Sequence, residues 1–193
     1  KRFLDASKED SWPVMFPFYA TAIYTGMRAG ELAGVRWADV DFERRLITVQ
    51  RSFSGPTKSG KIRHVPILDI ILPILKTWKL ACNSKTLVFP NSKGQMWDNR
   101  GRIFEEFFQR TLIRAGFPPR YVNFHGLRHT FSSHWVLKGG DLFRLQKILG
   151  HADATMTQRY GHLSPAAYES DWARFGGPME DAECEVIELA QTK

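Results

Sequence analysis

The chain has 193 residues, with 27 Lys and Arg against 20 Asp and Glu, a net charge of +7. A hydrophobic fraction of 43% excludes a disordered chain. No apolar run reaches the roughly 18–20 residues a membrane span needs, and no charged-then-apolar leader opens the sequence. One soluble, intracellular globular domain with short appendages is therefore expected. The two cysteines, Cys82 and Cys184, form no metal or redox motif and suit a reducing compartment. Charge is unevenly placed. The segment from Gly176 to Lys193 carries five acids against Lys193 and is −4, which leaves +11 on residues 1–175. A basic body facing an acidic tail suggests a polyanionic partner, nucleic acid first.

The chain opens at Lys1 without a methionine, inside a helical pattern around Phe3 and Leu4, which reads as a piece whose N-terminal neighbour is missing. Ser11 is a candidate N-cap, with Pro13 in the first turn of a helix running to about Tyr24. Gly26 ends it, and a short helix follows from Arg28 to Val35. Leu46-Ile47-Thr48-Val49-Gln50 reads as a strand, and Ile62 to Ile67 as its return. The turn-rich Ser54 to Lys61 between them makes a hairpin with a basic tip, carrying Lys58 and Lys61. A helix is expected over 69–80, and Leu87-Val88-Phe89 is extended. Asn99 is placed to cap a helix to Ala115, stopped by Gly116 and Pro118-Pro119. Leu127, Phe131 and Trp135 give a helix from His125 to Lys138, Asp141 caps another to Leu149, Thr155 opens a short one holding Tyr160, and Ser164-Pro165 opens the last, ending near Phe175. Cys184 to Leu189 in the acidic tail is a single candidate strand. The sum is an α+β chain, mainly α, with one small antiparallel sheet.

Four polar clusters stand out. Arg28 and Glu31 are three apart on one helix face; alone, they read as a surface ion pair. Lys58 and Lys61 at a hairpin tip read as a solvated turn unless the tip folds over a phosphate. His125 and Arg128 share the face opposite Leu127 and Phe131. His129, four after His125, makes an i, i+4 pair, but without the metalloprotease acid or a third ligand it is weak as a metal site, and a hydrogen-bonded core histidine is the plainer reading. His151 follows Leu149-Gly150, and Tyr160 comes nine residues later.

In this order the clusters carry more weight than they do singly. Thr25-Gly26-Met27-Arg28-Ala29-Gly30-Glu31-Leu32, then Thr57 to Pro66, then His125-Gly126-Leu127-Arg128-His129-Thr130, then Leu149-Gly150-His151 and Tyr160 together resemble the tyrosine recombinase family, in its phage integrase form. The resemblance covers about Phe3 to Phe175. It implies the helical catalytic domain of that family over residues 1–175, an acidic tail over 176–193 whose strand either adds to a partner copy's sheet or folds back on its own, and a DNA-binding domain before Lys1.

The implied activity is site-specific cleavage and rejoining of DNA strands through a 3′-phosphotyrosyl intermediate, in the integration or excision of a phage or genomic island. Attack on a phosphodiester builds charge on the nonbridging oxygens, and preorganised cations answer it. By resemblance Arg28 and Arg128 clamp the phosphate, His151 donates to it, Glu31 buttresses the arginines and histidines, Tyr160 attacks, His125 accepts or relays its proton, and Lys58 protonates the leaving 5′-oxygen. Lys61 and Arg63 are assigned to DNA binding. No metal and no cofactor is expected. The implied partners are double-stranded attachment-site DNA, other copies of the chain in a tetramer on that DNA, and accessory bending or excision factors, with no membrane and a nucleoid-associated place in the cytoplasm. The alternatives are a catalytically silent DNA-binding module of the same fold, a type IB topoisomerase, and a metal phosphodiesterase built on His125 and His129.

Overall fold

The structure, a computed structural model, describes residues 1–53, 55–56, 60–97 and 102–164. The expected Asn99 cap, the general-acid candidate Lys58, the helix from Ser164-Pro165 to Phe175 and the acidic tail's strand lie outside the described residues, Ser164 itself apart. The described chain is mainly helical with a small antiparallel sheet, in the order α1 (Arg2–Ser7), α2 (Met15–Thr25), α3 (Ala29–Gly34), β1 (Val40–Asp41), β2 (Leu46–Val49), β3 (Arg51–Ser52), β4 (Gly55–Pro56), β5 (Arg63–Pro66), α4 (Leu72–Ala81), α5 (Arg102–Arg114), α6 (Gly126–Leu137), α7 (Leu142–Leu149) and α8 (Thr155–Gln158). Among these residues no helix is long and apolar enough to cross a membrane.

The expected hairpin forms, with β2 pairing antiparallel to β5 in the register Ile47 to Val65 and Val49 to Arg63. β1, too short to leave a period in the sequence, extends the sheet to the order β1-β2-β5. Alternation places Arg63 and Val65 inward and His64 outward. β3 and β4 pair separately toward the hairpin tip.

The helix core is aromatic. Phe18 on α2 is fully buried. It stacks on Phe104 of α5 at 5.2 Å and meets Phe89 at 5.4 Å and Phe124, just before α6, at 5.6 Å. Each such ring contributes roughly 1.5–3 kcal/mol through burial, and together they fix α2, α5 and the start of α6 relative to one another. Helix α2 begins at Met15 rather than at the Ser11 cap, and no side chain caps it. It ends at Gly26, whose φ of +66° is left-handed. A Cβ there would come within 2.6 Å of Phe131 and 2.8 Å of Leu149, so α6 and α7 close on this glycine. Helix α7 begins as expected, with the Asp141 carboxylate accepting from the Arg144 N–H at 2.8 Å.

Candidate active site

The ends of α2 and α7 and the starts of α3 and α6 converge on one polar cluster. A helix C-terminus leaves carbonyls without intrahelical donors and carries partial negative charge, so it attracts a cation. Arg128, on the first turn of α6, serves two such ends at once. Its Nη1 donates to the Gly26 carbonyl at 2.7 Å and its Nη2 to the Leu149 carbonyl at 2.7 Å. The residue is only 4% exposed. Of the five guanidinium N–H groups these bonds use two, which leaves others for an anion.

Glu31 organises the remaining charge. Its carboxylate accepts the Arg28 backbone N–H at 2.9 Å and Arg28 Nη1 at 3.0 Å, an N-terminal capping arrangement on α3. It also accepts Arg63 in a bidentate pair, Nη1 at 2.9 Å and Nη2 at 2.6 Å. Burial raises the Glu31 carboxyl and the arginines lower it more, so it lies below its ordinary value. Glu31 thus pairs with Arg28 and Arg63.

Arg63 corrects an expectation. The sequence reading sends it to DNA, but its side chain is 8% exposed, paired with Glu31, and donates through Nε to the Ile148 carbonyl at 2.8 Å. It points inward because it shares the parity of Val65, and it ties the sheet to the end of α7. Gly150, at φ +67°, completes that turn, and a Cβ there would approach Arg63 Cδ to 2.8 Å. Lys61 is exposed beside β5.

Three guanidiniums around one carboxylate leave the pocket positive. Burial, then the Arg28 charge, lowers Arg128 to about 9. Burial, then Arg128, Arg28 and Arg63, lowers His151 to about 4, and His125 also adds to this. His151 Nδ1 shares a 2.8 Å hydrogen bond with the Thr157 hydroxyl. His125 is exposed at the start of α6 and is lowered by burial, then by His129, Arg128, Arg28 and Arg159. These mutual influences put Arg28, Arg128, His125 and His151 in one electrostatic neighbourhood. Tyr160 belongs to it as well, since its charge acts on Arg128.

Tyr160 lies just after α8 and is 7% exposed. The sequence expectation puts it inside a helix, whereas α8 stops at Gln158 and Tyr160 precedes a short 3-10 turn over Gly161–Leu163. Its hydroxyl meets His129 Nδ1 at 2.5 Å. The sequence reading leaves His129 as a core histidine. It is instead half-buried at the site, its ring 5.1 Å from that of His125 and nearly perpendicular to it. The signal available in the sequence is its helical spacing from His125; its pairing with Tyr160 spans 31 residues and has none. Among the described residues no group of three or more His, Cys, Asp or Glu side chains is arranged to hold a metal ion.

The same architecture occurs in solved recombinases. The catalytic domain of bacteriophage HP1 integrase superposes with a TM-score of 0.65 at 29% identity, covering 92% of this chain and 90% of that one. The Tn1549 transposon integrase, solved in complex with a circular intermediate DNA, shares the fold with a TM-score of 0.72 at 22% identity, over 90% of this chain and 62% of that one. The fold is therefore that of tyrosine recombinase catalytic domains. The phage integrase family model matches residues 2–167, and the chain belongs to that family. It is also 34% identical over 141 residues to tyrosine recombinase XerC of Xanthomonas campestris pv. campestris, an alignment covering 72% of this chain and 41% of XerC. The chain thus spans less than half of that relative.

Proposed function

We propose that the chain is the catalytic part of a site-specific DNA recombinase that cleaves and rejoins strands through a 3′-phosphotyrosyl intermediate, in the integration or excision of a phage or genomic island. The observation that carries this reading is the clamp on Arg128. Two helix-end carbonyls fix its guanidinium beside Arg28 in a pocket with excess positive charge. Such a pocket favours a phosphodiester, and favours it more as charge accumulates in the transition state.

Arg28 and Arg128 hold the nonbridging oxygens. With Thr157 donating to Nδ1 of a neutral His151, its Nε2–H is left to donate to the same phosphate. Tyr160 Oη attacks phosphorus, forming the 3′-phosphotyrosyl bond while the bond to the 5′-oxygen breaks. Lys58, on the hairpin tip, gives that oxygen its proton, and a second 5′-hydroxyl reverses the step to reseal the strand. In the motif's assignment His125 accepts or relays the Tyr160 proton. The basic body of +11 contributes sequence-independent affinity that falls with salt. The Tn1549 integrase, solved with a circular intermediate DNA, and the XerC likeness support DNA as the partner; a tetramer on attachment-site DNA, with accessory bending or excision factors, is the assembly we propose from the family resemblance.

Covalent trapping tests the reading. The chain is mixed with a nicked suicide duplex carrying its attachment site, in EDTA. A denaturant-resistant protein–DNA band that disappears in Tyr160→Phe is expected. Demonstrated DNA binding without any band or cleavage would leave the silent binding module, strand cleavage without a covalent band that stops in EDTA would leave the metal phosphodiesterase, and relaxation of a supercoiled plasmid without joining of two sites would leave the topoisomerase.

A further inference from the structure

The bond between Tyr160 and His129 points to a different residue for a role that the family resemblance gives to His125. We propose that His129 is the proton acceptor for Tyr160. This rests on Tyr160 being the nucleophile.

The geometry is direct. His129 Nδ1 lies 2.5 Å from the Tyr160 hydroxyl, within the reach a general base needs, and the two rings are 6.1 Å apart. The ring of His125, the other candidate, meets that of His129 at 5.1 Å and nearly at right angles. The charged and titratable groups that face His129 are Arg159, beside Tyr160; Arg128, one residue before His129; His125, with its ring 5.1 Å away; and Tyr160 itself. Burial, the larger cause, then Arg159 and Arg128 hold its imidazolium below the ordinary histidine value. At neutral pH the ring is therefore neutral, and with Nε2 protonated its Nδ1 lone pair faces the phenolic hydrogen. The same two arginines stabilise the phenolate as it forms.

The step balances without an external reagent. As Tyr160 Oη bonds to phosphorus, its proton passes to His129 Nδ1 and the ring becomes imidazolium. The bond to the 5′-oxygen breaks with its electron pair, and that oxygen is protonated separately by the general acid. On resealing, the tyrosine oxygen leaves and recovers its proton from His129.

The test is single-turnover cleavage of a suicide duplex whose 5′-bridging oxygen is sulfur. A thiolate leaves without a proton, so the rate reports tyrosine activation and not the general acid. His129→Asn keeps a hydrogen-bond acceptor near the position of Nδ1 but cannot take a proton; His129→Gln is the second variant. We expect cleavage to fall by about 100-fold at pH 7 in both, the lower end of general-base effects, with DNA affinity and unfolding midpoint near wild type. The wild-type rate stays flat from pH 7 to 9, whereas that of the variants climbs with pH as the phenol ionises unaided. A fluorinated tyrosine at position 160, whose phenol ionises near neutrality, recovers most of the loss in His129→Asn but not in His125→Gln. Cleavage within about threefold of wild type, a wild-type pH profile in His129→Asn, or a loss that the fluorinated phenol does not recover would overturn the assignment. A covalent band that survives Tyr160→Phe would instead overturn the nucleophile on which it rests, so the two failures are distinguishable.

Discussion

The arginine clamp and the tyrosine segment are built in opposite ways. Arg128 and Arg63 hang from the carbonyls of Gly26, Ile148 and Leu149, at the ends of helices that pack into the aromatic core, and Glu31 joins Arg63 to Arg28. Every partner belongs to an element whose position the core already fixes. Tyr160 follows a helix of four residues, and its hydroxyl is held by one side chain, that of His129. The difference fits the demands of phosphoryl chemistry. Cations that meet developing charge help only if they need no reorganisation when the charge appears. A nucleophile that is joined to DNA and then released must be able to change position, and a short peripheral segment allows this.

The largest expected effect breaks the clamp while leaving the tyrosine segment alone. In Glu31→Gln the buried Arg63 loses its counter-charge and meets an amide N–H₂ in its place. Removing one partner of a buried pair costs about 3–5 kcal/mol, and urea unfolding reads it. His129→Asn should cost less than about 1 kcal/mol on the same measurement, the range of one partly exposed hydrogen bond. Equal costs would abolish the contrast between the two regions.

Much of this contrast was legible in the sequence, and the missing parts have physical reasons. The motif names Arg28, Glu31, Lys58, His125, Arg128, His151 and Tyr160; the fold brings all but Lys58, which lies outside the described residues, into one neighbourhood. The hairpin, α6 and α7 follow from alternation, helical spacing and the Asp141 cap. The charge of Arg63 points to DNA, but its parity in the strand points inward. It stands two before Val65, on the buried face, and a buried arginine is acceptable only because Glu31, distant in sequence, arrives there. The partner of His129 comes from another element, and no local period encodes such a pairing. The Ser11 cap failed because α2 starts at Met15 and its first turn is held by packing instead of a cap.

A smaller and pH-dependent effect sharpens the comparison from the clamp side. Burial and the arginines hold His151 at about 4, and His125 and His129 are also lowered. An unfolded chain binds protons on these rings near pH 6.5, whereas the folded one does so only at lower pH. The unfolded form therefore holds more protons in between, so stability is lost as pH falls from about 6.5 to about 4. A phosphate anion in the pocket favours the imidazoliums and opposes this loss. Melting temperatures across that window, with and without inorganic phosphate, should diverge as pH falls. Parallel curves would mean that the positive pocket does not take the anion.

The smallest effect asks how local the rigidity of the clamp is. Helix α7 carries the clamp at its C-terminal end, through the Ile148 and Leu149 carbonyls, and its cap at the other, through Asp141. Asp141→Ala removes the acceptor of the Arg144 N–H and frays the first turn, at a cost of about 1 kcal/mol. Leu145 and Leu149 are fully buried, so the last turn should stay anchored by packing when the first is loosened. Denaturation should therefore register the loss while the rate of covalent-complex formation stays within about twofold of wild type. A parallel fall in cleavage would mean that the clamp depends on the whole of α7 rather than on its buried end, and that the division between a rigid clamp and a yielding tyrosine segment runs through the helix itself.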